Sequence, residues 1–229
     1  MVYGLNYLHQ RNIDDQQISN FGLAYLYNNQ LYGVSNSPSF EKLCQFVHKL
    51  TELKVDLNIY NNCILIPIFD LYNNIVSFAA RHLTPGTKQK FIGVKGFKKT
   101  LLLFGLNLAY EDILKMDEVI LVEGYWEVIA LSKIGIRNVV ALCGCSIKDT
   151  QVSYLMRFTK NFKILLDPDK AGMEGSERVA KVINTLGGNP EILQLQATVD
   201  IDEFLTKNNK EEFIKSCGLS QKYLKESLK

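Results

Sequence analysis

In the second half of the chain, short apolar runs alternate with stretches whose apolar residues recur at helical spacing. "EVILVEG", starting at Glu118, reads as a strand, and "YWEVIALSKIG" as an amphipathic helix ended by Gly135. "NVVALCG" is a second strand and "IKDTQVSYLMRFTK" a second helix; "FKILLD" and "MEGSERVAKVINTLGG" form a third pair, and "EILQLQ" a fourth strand. Alternation of this length predicts βαβ units and a parallel sheet. The first half is mixed. "SFEKLCQFVHKLTELKV" sets Phe40, Leu43, Val47, Leu50 and Lys54 near helical spacing behind a Ser-Pro-Ser cap region. "CILIPIFDLYNNIVSFAARHL" reads as two strands joined by a turn at Asn73-Asn74. Thr84 to Lys99 is a Gly- and Lys-rich connection, partly extended. The change of character places a domain boundary near residue 116. The fold class is therefore α/β: a mixed α+β subdomain over 1–116, a parallel-sheet domain flanked by helices over 117–206, and a helical tail over 207–229.

A chain of 229 residues with 47% apolar content can bury the core of one large domain or two small ones. Its first residues, "MVYGLNYLHQRNIDDQQ", have neither the basic nor the apolar region of a signal peptide, and no run is long enough to cross a membrane. The five cysteines, at 44, 63, 143, 145 and 217, are irregularly spaced with no C-x-x-C pair. That argues against a disulfide framework and against a zinc site within the chain, and for a reducing, cytoplasmic setting with the cysteines as small core residues. The net charge of +2 is uninformative, but its distribution is not. No Asp or Glu occurs from Leu71 to Tyr110, a span carrying Arg81, Lys88, Lys90, Lys95, Lys98 and Lys99. Such a segment is either an electrostatic footprint for phosphates or a solvated lysine-rich loop, and charge alone does not decide between them.

Carboxylates stand where an open parallel sheet binds its ligands, beyond the carboxyl ends of the strands. The first strand ends in Glu123-Gly124, the third in Asp167-Pro168-Asp169, and Asp200-Ile201-Asp202 follows the fourth. A single D-x-D is readily a turn signal plus a helix N-cap. Three acidic strand ends together repel one another, and a divalent cation is the usual resolution. On extended backbone residues two apart point the same way, so D-x-D can present both carboxylates to one ion. Carboxylates with no nearby His or Cys suit Mg²⁺ or Mn²⁺ shared with substrate phosphates, which makes phosphoryl or nucleotidyl transfer the leading chemistry.

"VEGYWEVIAL", "ALCGCS", "LLDPDKAG" and "VDIDEFL" follow one another at the spacing of a Toprim domain, and the chain resembles the DnaG family of bacterial-type DNA primases. The tyrosine after E-G and the A-G after D-x-D resemble primases more than the topoisomerase and recombination-repair branches. "ILIPIFDLYNNIVSFAARHL" is similar to that family's strand pair before the Toprim fold, "KQKFIGVKGFKKTLLLFGL" to the stretch that follows it, and "YLHQRNIDDQQISNFGLAYL" to the opening of its polymerase core. Glu127 stands where the family usually has Asp, Phe91 where it has Tyr, and Gly93 where it has Asn. On this resemblance the chain is expected to be a pared-down core, without zinc ribbon or helicase-binding domain, of the kind that phages and mobile elements use.

The resemblance implies a primase catalytic core that makes short RNA primers on single-stranded DNA from ribonucleoside triphosphates. By it, Glu123, Asp167 and Asp169 would hold catalytic Mg²⁺ or Mn²⁺, Asp200 and Asp202 would position a second ion or the triphosphate, and Glu127 is a further metal-binding candidate. Arg81, Lys90, Lys98, Lys99 and Lys170 would meet nucleotide and template phosphates, and Phe91 and Phe97 are either stacking residues or core. Trp126 reads as core. Implied partners are a replicative helicase and a separate zinc-binding, template-reading module. The rival readings are a Toprim nuclease or topoisomerase-like enzyme, and a non-catalytic module that binds single-stranded DNA or a helicase.

Overall fold

A strand covered on both faces is an unbroken apolar run, whereas a strand covered on one face alternates. The chain uses both kinds. The structure, a computed structural model, describes residues 3–34, 36–87, 89–94, 103–143 and 146–225, without the side chain of residue 225. It divides into two units, Met1–Phe97 and Lys98–Lys229.

The first unit contains α1 (Tyr3–Gln10), α2 (Asp15–Phe21), β1 (Ala24–Tyr27), β2 (Gln30–Tyr32), α3 (Pro38–Glu52), a 3-10 turn (Leu57–Tyr60), β3 (Cys63–Phe69), β4 (Ile75–His82) and β5 (Phe91–Gly93). Its strands form an antiparallel sheet in the order β2-β1-β3-β4-β5. α3 begins where the Ser37 side chain accepts from the Phe40 amide, with Pro38 at the first helical position. Its buried Leu43, Val47 and Leu50 pack with Ala24, Leu26, Cys63, Leu65, Phe78 and Ala80 on one face of the sheet. Lys54 has φ +58° and lies past the helix end, outside the apolar stripe expected for it. The β3–β4 hairpin closes on Asp70, whose carboxylate accepts from the amides of Tyr72 and Asn74 while Asn73 takes φ +60°.

The second unit contains α4 (Leu106–Met116), β6 (Val119–Val122), α5 (Tyr125–Lys133), β7 (Val139–Ala141), α6 (Asp149–Leu155), β8 (Asn161–Ile164), α7 (Lys170–Thr185), β9 (Asn189–Ile192), α8 (Ile201–Lys207), α9 (Lys210–Cys217) and α10 (Lys222–Lys225). The sheet order is β7-β6-β8-β9 and every pair is parallel. The boundary expected near residue 116 falls inside this unit. α4 packs on β7, and Phe104 and Ala141 exchange backbone hydrogen bonds of 3.3 and 3.0 Å, which ties the approach to α4 onto the sheet. The tail is also anchored. The Tyr223 hydroxyl donates to the buried Glu118 carboxylate at 2.5 Å and accepts from Asn138 Nδ2 at 3.0 Å. Cys63 and Cys217 are buried, and burial pushes their thiols up to about 12 and about 11, so they pack as small apolar groups. Cys145 lies outside the described residues. Trp126 is buried as expected. Among the described residues, no helix is long and apolar enough to cross a membrane.

Candidate active site

Helix starts and strand ends deliver six carboxylates to the carboxyl edge of the parallel sheet. β6 stops at Val122, so Glu123 and Gly124 form the link into α5, and Glu127 lies in that helix's first turn. β8 stops at Ile164, although the Leu165 amide still donates to Leu121 O at 2.9 Å. Asp167, Pro168 and Asp169 then lead into α7. Asp200 is the N-cap residue of α8 and Asp202 lies in its first turn.

The strand ladder ends before Asp167, Asp169 is on extended backbone two residues on, and the two carboxylates of the D-x-D act differently. Asp169 caps α7, its Oδ1 accepting from the Gly172 amide at 2.7 Å. Asp167 is partly buried, and its Oδ1 has no hydrogen-bond partner. Asp200 holds the equivalent place on α8, yet its side chain makes no capping bond there.

Two glycines, unassigned in the sequence reading, shape this edge. A Cβ on Gly172 would stand 2.1 Å from the Asp167 carbonyl oxygen, so the first turn of α7 closes directly onto the backbone that carries Asp167. A Cβ on Gly124 would stand 2.8 Å from Glu127 Oε2. Their signal in the sequence is their position, directly after or within the acidic motifs.

Burial pushes the Asp167 carboxyl up to about 7, helped by the neighbouring charges of Asp200, Glu123, Asp169 and Asp202. Glu127 is only 8% exposed. Burial raises it to about 8, against a lowering by a backbone hydrogen bond, and Asp167, Asp202 and Asp200 add to the rise. Its Oε2 also lacks a partner. The other five carboxylates are thus within electrostatic reach of Asp167, and two of the six carry buried oxygens with no hydrogen-bond partner among the described residues. Two such groups cost stability unless they take up protons or meet a cation. The donor set is all hard oxygen, which fits Mg²⁺ or Mn²⁺. Among the described residues, no three His, Cys, Asp or Glu side chains are drawn together tightly enough to hold a metal ion as they stand.

The basic residues are distributed over both units. In the first, Arg81 on β4 holds its guanidinium carbon 5.1 Å from the centroid of the Phe91 ring, and its Nε is buried without a hydrogen-bond partner. Phe91 is half-buried beneath this cation. Lys90 is exposed, and its carbonyl accepts from the His82 amide at 3.1 Å. In the second, Lys170 opens α7 with its side chain 93% exposed, 3.9 Å from Glu174. Lys98, Lys99 and Phe97 lie outside the described residues.

Comparison with known proteins agrees with this layout. Residues 2–110 match the family model for the N-terminal domain of the DNA primase catalytic core, and residues 120–205 match the Toprim-like model. The DNA primase of Clostridium acetobutylicum is 30% identical over 217 residues, covering 91% of this chain and 36% of that protein. The chain thus spans little more than a third of the curated relatives it matches. The crystal structure of the Aquifex aeolicus primase, with zinc-binding and RNA polymerase domains, is 29% identical with a TM-score of 0.75, over 92% of this chain and 54% of that one. A DnaG primase catalytic domain bound to single-stranded DNA shares the fold at 23% identity and a TM-score of 0.72, over 93% of this chain and 70% of that one. With a primase-core N-terminal part, a Toprim part and the acidic edge between β6, β8 and α8, the chain belongs to the DnaG-type DNA primase catalytic-core family.

Proposed function

We propose that the chain is the catalytic core of a DNA primase, joining ribonucleotides into short RNA primers on a single-stranded DNA template. The observation that carries this reading is the pair of buried, unsatisfied oxygens on Glu127 and Asp167 within a group made only of carboxylates. Glu123, Asp167 and Asp169 would hold the divalent ion, Mg²⁺ or Mn²⁺, and Asp200 and Asp202 a second ion or the incoming triphosphate. Divalent ions bound there would lower the pKa of the primer 3′-hydroxyl and stabilise the departing pyrophosphate.

The remaining work belongs to the chain's own residues. Asp169 spends one oxygen on α7 and keeps the other, so helix capping fixes its carboxylate toward the sheet edge. Glu127, buried in α5, holds a proton in the metal-free fold and would ionise as a cation binds, and Gly124 leaves room for it. Arg81, Lys90, Lys98, Lys99 and Lys170 would take nucleotide and template phosphates, Arg81 from its position over the Phe91 ring. Residues 1–116 then serve template and nucleotide binding, 117–206 the chemistry, and 207–229 support. A replicative helicase and a separate zinc-bearing, template-reading module are the proposed partners, and the cytoplasm the proposed location.

Incubating the protein with single-stranded template, labelled ribonucleotides and Mg²⁺ or Mn²⁺ tests the reading. Short RNA is the expected product. Nicked template instead would point to a Toprim nuclease, and template binding without product, even from a supplied primer, to a non-catalytic module.

A further inference from the structure

The parallel sheet has two edges, and the carboxylates occupy one. At the other, where β6 and β7 begin, the second unit holds a cleft of about 490 Å³. Its walls come from the ends of α4 and α5, the link into β7, the start of α9, and Tyr223 of α10. The length of β6 lies between the two edges, on the order of 13 Å for a strand of this size.

Charge sets this cleft apart. Lys115, Lys133, Arg137 and Lys210 line it, against the carboxylates of Asp112 and Glu211. Lys115 and Lys133 stand in the last turns of α4 and α5, where a helix favours positive charge. That reason does not extend to the other two. Lys210 opens α9, at the end that favours negative charge, and Arg137 lies outside any helix. Lys115 and Arg137 are exposed, and among the described residues neither side chain has a hydrogen-bond or ion-pair partner.

Two further carboxylates nearby are already engaged. Glu212 is turned back onto the Asn209 amide, which donates to it at 2.9 Å. Behind Asn138 and Tyr223, the buried Glu118 accepts from the Tyr223 hydroxyl at 2.5 Å, with Lys222 and Lys163 at 3.4 and 3.6 Å. Asn138, only 2% exposed, donates to both the Glu118 carbonyl and the Tyr223 hydroxyl. This wall is built before any ligand arrives, so binding does not have to order it.

A site for an apolar ligand is lined mostly by apolar side chains, and here only Met116, Ile134 and the Tyr223 ring contribute them. Cations that converge on one cavity, instead of spreading along a stripe, suit an anion that carries several charges in a small volume. We propose that the cleft binds a polyphosphate: inorganic pyrophosphate or triphosphate, or the phosphate tail of a nucleotide. Arg137 and Lys115 would be the main phosphate ligands, with Lys210 and the first turn of α9 beside them. Such binding needs no divalent ion, which separates it from the carboxylate edge, and it does not rest on the primase reading.

The test is calorimetric titration of the full chain in EDTA with tripolyphosphate, pyrophosphate, ATP and, as a control without phosphate, adenosine. Without a cation the carboxylate edge repels phosphate, so heat in EDTA reports on basic sites alone. Tripolyphosphate should bind, more weakly as salt is added, and adenosine should not. Arg137→Ala and Lys115→Ala should each weaken binding by about tenfold. Both variants should melt near the parent, because the side chains removed are exposed, and Lys90→Ala should bind as the parent does. ATP binding tighter than tripolyphosphate would identify a nucleotide as the ligand, and equal affinity a free polyphosphate. Absence of heat with every phosphate compound would overturn the proposal. So would an Arg137→Ala/Lys115→Ala double variant that binds tripolyphosphate within about twofold of the parent. An oligoglutamate peptide whose binding the double variant loses, and which tripolyphosphate does not displace, would assign the cleft to an acidic protein segment and overturn it too.

Discussion

Glu127 and Asp167 stand within electrostatic reach of each other at the carboxyl edge of the parallel sheet, and each buries one oxygen, Oε2 and Oδ1, that no donor satisfies. Burial first and the charges of neighbouring carboxylates second hold the two carboxyls up at about 8 and about 7, against ordinary values of 4.5 and 3.8. The metal-free fold therefore holds protons that the unfolded chain would release. The stability linked to this pair is fully present below about pH 4 and is lost as pH rises through about 7 to 8. Thermal melts in EDTA from about pH 5.5 to about pH 8.5 should show this decline, and Mg²⁺ should raise the melting temperature most at the alkaline end. Asp167→Asn should flatten the pH dependence in EDTA and remove most of the Mg²⁺ effect.

Asp169 has two duties that substitution can separate. Asp169→Ala removes the cap on α7 and should cost about 1 kcal/mol of stability. Asp169→Ser retains a capping oxygen and should fold within a few tenths of a kcal/mol of the parent. Both should fail to make primer, because neither keeps the carboxylate. Denaturant unfolding beside a priming assay checks the split; an active serine variant would reduce Asp169 to a cap.

Gly172 meets backbone, which cannot rotate aside. Gly172→Ala should destabilise the second unit by about 1–3 kcal/mol through forced displacement of the Asp167 segment. Priming should fall further than the loss of folded protein accounts for, since the displaced segment carries Asp167. Equilibrium unfolding and the specific activity of the folded fraction give the two numbers.

Among the basic residues, Lys90→Ala and Lys98→Ala should each weaken single-strand binding and flatten its salt dependence by about 0.7 per lost phosphate contact. Arg81→Lys keeps the charge but loses the guanidinium contact over the Phe91 ring, so its affinity should fall while the slope stays near the parent's. Anisotropy at several salt concentrations distinguishes the two patterns.

How far the sequence reaches can be judged element by element. β6 and β7 are buried at every position, so "VILV" and "VVA" stand out as apolar runs, and the helices between strands keep their spacing. Glu123 and Asp167 were legible for the same reason, because each follows such a run, whereas Asp200 and Asp202 were legible as a second D-x-D beyond the fourth strand. The unit boundary was not, since the bridge between Phe104 and Ala141 joins residues far apart in sequence. The capping duty of Asp169 was visible as an alternative but not as the outcome, because one D-x-D serves either purpose. β1 and β2 were not legible because they have only 4 and 3 residues, too short for alternation to stand out.

The central claim is that this carboxylate set carries nucleotidyl transfer on a DNA template. Its most direct test is extension of an RNA primer annealed to single-stranded DNA, comparing the parent chain with Asp167→Asn at saturating template. A supplied primer makes the result independent of any module that selects start sites. The parent should add labelled ribonucleotides in Mg²⁺ or Mn²⁺ and add none in EDTA, while Asp167→Asn binds the template as the parent does and adds none in either metal. Extension by Asp167→Asn at the parental rate, or by the parent in EDTA, would contradict the account.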